Sequence, residues 1–268
     1  MRTRLDFGTA LKQRRQQCRL SQLALATDAR ISTRHLSFIE TGRSRPSRGM
    51  VLHLAELLSL PLRQRNEWLL AAGFSPEYPQ HTLDAPPMSA ALAAVDLVLA
   101  AHGHLPAIAV DRHWNMLKAN AAAGLFLQGV DATLLAPPIN VIRLSLHPLG
   151  LASRILNLES VRAHILHRLI VQFRQTGDQG LLDLHEEIAA YPSCPDAPGA
   201  VATSPDERVV LPICLQTPQG VLRLFSTITV FGTPVEVTLA ELAVEAFFPA
   251  DIESAALLQT LASAVSPT

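Results

Sequence analysis

Apolar positions along this chain fall into two regimes. Up to about residue 73 they recur at helical spacing in short runs, each opened by a residue able to cap a helix. Phe7 to Arg19 reads as a first helix, with Phe7, Leu11 and Cys18 inward and Lys12, Arg14 and Gln16 outward. Ser21 and Gln22 open a second helix, with Leu23, Leu25 and Ala26 as its inner face. Asp28 to Ile31 interrupt the pattern, and Ser32 is placed to cap a third helix running to Thr41. Gly42 then sits where a positive φ costs little. Ser47 caps a fourth helix through Leu58, with Leu52, Ala55 and Leu58 inward. Pro61 suits the first position of a fifth, which ends before Gly73. Phe74 to Met88 contains four prolines and no periodicity, so a stiff linker and the domain boundary fall there.

From Ser89 the pattern mixes periods. Ala90 to His102 reads as an Ala/Leu-rich helix, and Ala107–Asp111 with Met116–Lys118 as a hairpin around Asp-Arg-His-Trp-Asn. Ala119–Leu127, Asn140–His147, Leu158–Gln175 and Asp178–Tyr191 are helical. After a Pro/Ser/Ala-rich loop (Pro192–Ser204), Val209–Thr217 and Val221–Phe231 alternate as strands joined through Pro218-Gln219-Gly220. Leu242–Phe248 reads as a last strand, with a helix there as the alternative, and Asp251 to about Val265 as a final helix. Two strands, helices and then three strands predict an antiparallel sheet with helices on one side, an α+β architecture. The predicted organisation is therefore an all-α five-helix domain over 1–73, a linker over 74–88 and an α+β domain over 89–268.

Composition adds little until the charge is divided. The chain has 268 residues, 49% apolar and 17% charged, which is globular rather than disordered. Its net charge is −1, but residues 1–75 hold 13 Lys/Arg against 5 Asp/Glu (+8) and the remainder carries −9. A basic head on an acidic body is the asymmetry expected when one end meets nucleic acid. Cys18, Cys194 and Cys214 are three, widely separated and without CxxC or Cys/His spacing, so no disulfide framework or zinc site is encoded. The N-terminus has no apolar signal core and no apolar run reaches the ~18 residues that span a bilayer, so a cytoplasmic protein with no membrane association is expected.

The third helix carries the candidate chemistry. Projected at about 100° per residue, Leu36 and Ile39 point inward while Thr33, Arg34, Ser37, Phe38 and Thr41 share the opposite arc. Arg43, Arg45 and Arg48 follow at once. Hydrogen-bonding groups and one aromatic for base edges, with arginines beside them for phosphates, suit a helix laid in a major groove. The stretch resembles the helix-turn-helix of the phage repressor and Cro family, of the xenobiotic-response-element type. Its L-S-Q-x-x-L-A, I-S-x-x-x-[IL]-S and x-E-x-G-x-x-x-P blocks are matched at Leu20, Ser21, Gln22, Leu25, Ala26, Ile31, Ser32, Leu36, Ser37, Glu40, Gly42 and Pro46. The resemblance implies a partly buried scaffold pair between Arg15 and Glu40. It also implies base reading by Thr33, Arg34, Ser37 and Phe38, and backbone contacts by Gln22, Arg43 and Arg45. Arg63 and Arg65 read as a solvated face.

Residues 89 to about 262 resemble the MmyB-like ligand-binding domain found on many bacterial regulators, a PAS-like fold. The matching blocks are Val110-Asp111-Arg112 with Trp114-Asn115, Ala119-Asn120, Asn140 through Arg143, Leu144, His147 and Pro148, and Phe225-Ser226-Thr227 through Phe231-Gly232-Thr233-Pro234. Val237 to Leu242 and Phe247 to Asp251 complete the set. Leu158 stands where the family commonly has an aromatic. The resemblance implies an apolar cavity and a fatty-acid-like effector, with Asn120, Arg143, His147 and Phe231 as candidate contacts. Arg143 and His147, at i and i+4, share a helix face. The competing reading pairs Arg143 with Glu241 or Glu245 and makes Asn120 a cap. His164, His167 and His185 lack metal-ligand spacing, so no metal site or cofactor is expected. The aromatics are mostly core, with two or three left to line a pocket.

The function expected is thus a transcription regulator that binds operator DNA as a homodimer and responds to a small apolar or fatty-acid-like effector. The second domain lacks a G-x-S-x-G elbow, a P-loop, a G-x-G-x-x-G turn and an H-E-x-x-H helix, which argues against an enzyme. Two alternatives stand beside it: a ligand-free dimerisation or partner-docking second domain, and an enzyme-associated antitoxin-type regulator.

Overall fold

The computed structural model describes residues 6–192 and 211–265. Most of the Pro/Ser/Ala-rich loop, Cys194 and the first two residues of the expected strand at Val209 lie outside the described residues. The chain divides into two compact units: Met1–His81 with Arg174–Gly177 and Pro234–Ala240, and Thr82–Phe173 with Asp178–Thr233 and Glu241–Thr268.

Five helices begin the first unit: α1 (Phe7–Gln17), α2 (Gln22–Asp28), α3 (Thr33–Glu40), α4 (Arg48–Leu57) and α5 (Leu62–Ala71). Four start on a side-chain cap. Asp6 accepts from the Thr9 amide at 3.1 Å, Ser21 from Ala24 at 3.0 Å, Ser32 from His35 at 3.1 Å and Ser47 from Met50 at 3.2 Å. Pro61 is the residue before α5 rather than its first.

All five helices end the same way. The chain turns left-handed at Arg19, Arg30, Gly42, Ser59 and Gly73, with φ of 56°, 55°, 70°, 50° and 89°. The next amide then reaches back five residues, as in Leu20 to the Arg15 carbonyl and Ile31 to that of Ala26. This is the Schellman arrangement, closed in four cases by an apolar residue (Leu20, Ile31, Leu60 and Phe74) falling onto its own helix. Three of the five turns are made by Arg or Ser, which carry no turn signal of their own.

The helices close on Phe7, Leu11, Leu25, Leu36, Ile39, Leu54 and Leu69, with Phe7 edge-on to Trp68 at 5.3 Å. Gly8 lets α1 lie directly on the end of α3, since a Cβ there would be 2.6 Å from the Ile39 carbonyl oxygen. Two inward assignments are corrected. Leu23 is 66% exposed, because it lies about 200° from Leu25 around α2 and both cannot face the core. Cys18 is exposed, because α1 stops at Gln17 and the chain turns away. On α4, Val51 and Leu54 are buried and Leu52 only partly so. The proline-rich segment is partly pinned: the Asn66 side chain donates to the Tyr78 carbonyl at 2.7 Å and accepts from the Glu77 and Tyr78 amides.

The second unit contains α6 (Ser89–Ala101), β1 (Ala107–Val110), β2 (Met116–Ala119) and α7 (Val141–Leu146), then α8 (Leu158–Thr176) as far as Phe173, its last residues being counted with the first unit. There follow α9 (Gln179–Ala189), β3 (Ile213–Thr217) and β4 (Gly220–Val230). A four-residue helix α10 (Val237–Ala240) belongs to the first unit, and β5 (Ala243–Pro249) and α11 (Ile252–Val265) complete the described chain. The strands form one antiparallel sheet in the order β2-β1-β5-β4-β3, so this is a PAS-like α+β domain and Ala243–Pro249 is a strand. Ala121–Phe126 is a 3-10 helix rather than an α-helix, and α10 was not legible as a helix.

Two polar residues set the local geometry of the sheet. Asp111 accepts from the His113 and Asn115 amides at 2.8 and 2.9 Å, and this holds Trp114 at φ 66°, a rare conformation for a bulky residue. Asn120 accepts from the Ala107 amide at 3.0 Å and donates to the Leu105 carbonyl at 2.8 Å, lacing β2 to the approach to β1.

Candidate functional site

In the first unit the site is the outer face of α3. Arg34 and Thr41 are exposed, Thr33, Ser37 and Phe38 half-buried, and Leu36 and Ile39 buried beneath them. The Arg34 guanidinium lies 5.3 Å from the Phe38 ring, one turn on, which pre-positions the two longest side chains of the ridge. His35 is also exposed and belongs to this surface. It sits at the margin of the projected polar arc, next to Ile39, so periodicity alone assigned it to neither face.

Arg43 and Arg45 are exposed on the loop after α3, whose amides at 43 and 44 both return to the Phe38 carbonyl, at 2.8 and 3.1 Å. Arg48 is paired with Glu77. Behind the ridge, Arg15 grips Glu40 through two bonds of 2.6 and 3.0 Å, with both side chains nearly fully buried. The Gln22 amide donates to the same carboxylate at 2.7 Å, so this side chain is held by the scaffold pair at the start of α2. Burial alone would raise the Glu40 pKa; hydrogen bonds from Arg15 and Gln22 and the Arg15 charge outweigh it and hold the carboxyl below its ordinary range.

In the second unit a cavity of about 380 Å³ lies among α7, α8, the 3-10 helix Ala121–Phe126 and the sheet. Its walls are apolar, with Ile108 from β1, Met116 from β2, Leu144 from α7, Ile165 from α8, and Phe126 and Phe247. The two phenylalanines meet edge-to-face at 4.8 Å and are the aromatics that reach the cavity. Leu158 is core rather than lining.

The polar part of the lining is compact. Arg168 on α8 stands 3.5 Å from the Glu245 carboxylate on β5, and Ser226 on β4 donates to that carboxylate at 2.9 Å. The Arg168 guanidinium also caps the Trp114 ring at 3.9 Å, while the indole N–H donates to Gln172 at 3.0 Å. Arg168 Nε is buried, with no hydrogen-bond partner among the described residues. His164, one turn before Arg168, stands at the rim; partial desolvation, then the Arg168 and His167 charges, lower its pKa below the usual imidazole value.

None of the four ligand contacts expected from the sequence is on the cavity wall. Asn120 caps the 3-10 helix and laces backbone, as described. Arg143 forks onto Glu187 at 2.8 and 2.7 Å, not onto Glu241 or Glu245, because α9 lies beside α7. Tyr191 donates to the same carboxylate at 2.7 Å and meets the His147 ring edge-on at 5.0 Å. His147 Nδ1 accepts from the Leu149 amide at 3.1 Å, and Phe231 is half-buried just past β4. The residues that do form the polar end, Arg168, Glu245 and Ser226, left two signals. A lone acid sits inside the apolar run Ala243–Pro249, and His164 and Arg168 share a helix face at i and i+4.

Among the described residues no group of three or more His, Cys, Asp or Glu is disposed to hold a metal ion, and no helix is long and apolar enough to cross a membrane. Comparison with protein families matches residues 92–261 to the MmyB-like transcription regulator ligand binding domain and residues 6–68 to a helix-turn-helix domain. No curated protein matches the chain.

Proposed function

The chain belongs to the family of the MmyB-like transcription regulator ligand binding domain, and from that premise we propose that it is an effector-responsive, sequence-specific regulator. In this reading it binds operator DNA through α3 and changes its operator affinity when a small apolar or fatty-acid-like molecule fills the cavity of the second unit. The observation that carries the reading is that cavity: about 380 Å³ of apolar wall with one compact polar end, in a chain that also holds a helix-turn-helix.

Thr33, Arg34, Ser37 and Phe38 read bases, and Gln22, Arg43 and Arg45 hold phosphates, by analogy with the motif that the sequence matches. The protein acts in the cytoplasm as a homodimer, and two copies of this motif predict half-sites about 34 Å apart. The role is regulatory and not enzymatic, in keeping with what both matched families are.

Native mass spectrometry of the full-length protein purified from cells tests the effector. A lipid-sized adduct, released when operator affinity changes, supports the reading. Repeated absence of any adduct favours a second unit that serves dimerisation or partner docking.

A further inference from the structure

We propose that the cavity selects an uncharged amphiphile, an alkyl chain ending in a hydroxyl or carbonyl oxygen, over an ionised carboxylate. The inference rests on the effector reading above and narrows its ligand class.

The charges at the polar end already balance. Among the described residues the lining has one guanidinium, Arg168, and one carboxylate, Glu245, facing each other at 3.5 Å. Glu245 is 7% exposed, and Ser226 spends its hydroxyl on it. The face of the guanidinium is covered by Trp114. An ionised carboxylate entering this end meets a buried like charge in a poorly screened site, with no uncompensated cation to offset it. His164 at the rim does not supply one, since its lowered pKa keeps it neutral at neutral pH.

What this end offers is polar lining without net charge. A ligand hydroxyl can donate to the Glu245 carboxylate, and a hydroxyl or carbonyl oxygen can accept from the Arg168 guanidinium. Neither adds charge. Apart from His164 and Ser145, whose hydroxyl donates to the Val141 carbonyl, the rest of the described lining is apolar: Ile108, Met116, Phe126, Leu144, Ile165 and Phe247 come from six different segments around the same space.

The test is isothermal titration calorimetry of the full-length protein at pH 7.5 with 1-decanol, 2-decanone and decanoate, on wild type and Glu245→Gln. The alcohol and the ketone are expected to bind at least tenfold more tightly than decanoate to wild type. Glu245→Gln, which keeps the side-chain shape and leaves Arg168 uncompensated, is expected to abolish or reverse that preference. Decanoate binding wild type as tightly as decanol overturns the inference and leaves the effector reading standing. An unchanged preference in a folded Glu245→Gln also overturns it. If none of the three binds, the effector reading itself falls and takes this inference with it. If Glu245→Gln does not fold, the wild-type ranking alone decides.

Discussion

The guanidinium of Arg168 lies 3.9 Å over the ring of Trp114, joining α8 to the β1–β2 turn at the polar end of the cavity. Trp114 holds a left-handed backbone conformation, kept by the Asp111 side chain and by its indole bond to Gln172. The contact is thus built from a strained residue and a partly desolvated cation, each positioned by a separate element. Trp114→Phe keeps the stack and removes the indole bond, and should cost about 1 kcal/mol. Trp114→Ala opens the core as well and should cost about 3–5 kcal/mol. Urea unfolding followed by circular dichroism measures both, and equal losses would contradict this division.

Arg15 and Glu40 make the corresponding joint in the first unit. Removing one partner leaves a buried charge, so Glu40→Ala should destabilise by about 3–5 kcal/mol. The double change with Arg15→Ala should cost less than the sum of the singles. Because the folded Glu40 pKa is lowered, its contribution is present above the ordinary value of 4.5 and is lost as pH falls through the lower, folded value. Acid titration of wild type against Glu40→Gln should show the wild type's advantage intact above about 4.5 and shrinking as the pH falls from there towards the folded value.

Gly8→Ala places a methyl 2.6 Å from the Ile39 carbonyl oxygen and 2.7 Å from that of Glu40. Backbone cannot move aside as a side chain does, so α1 must lift from the end of α3. A loss of about 1–3 kcal/mol is expected in thermal or urea unfolding. Operator affinity should fall with it, because α3 carries the proposed reading face.

On DNA, Arg34→Ala should relax base preference, costing about 1–3 kcal/mol on operator and little on random duplex. Arg43→Ala should weaken both about equally and reduce the slope of log affinity against log salt by about one. Fluorescence anisotropy on the two duplexes at several salt concentrations separates the roles; identical profiles for the two variants would remove the assignment.

Arg143 and Glu187 are about 40% exposed side chains tied to each other away from the cavity lining. Arg143→Ala should therefore cost no more than about 1 kcal/mol of stability and leave effector affinity unchanged in calorimetry. A large loss of affinity would place Arg143 back at the binding site.

The residue pattern by itself determined what depends on neighbours along the chain. Capping serines at 21, 32 and 47, the polar arc of α3, the strand alternation and the two family resemblances are all local or contiguous, and the helical first domain and antiparallel PAS-like sheet followed from them. Tertiary structure decided what depends on residues far apart in sequence. Whether Arg143 meets Glu187, Glu241 or Glu245 turns on where α9 packs, and periodicity carries no such information. The polar end of the cavity draws Arg168 from α8, Ser226 from β4 and Glu245 from β5, and only the sheet order β1-β5-β4 with α8 against it brings them within a few ångströms. Charges separated by tens of residues have no preferred partner until the chain closes around them. That is why the DNA-facing ridge was visible from the outset and the cavity's chemistry was not.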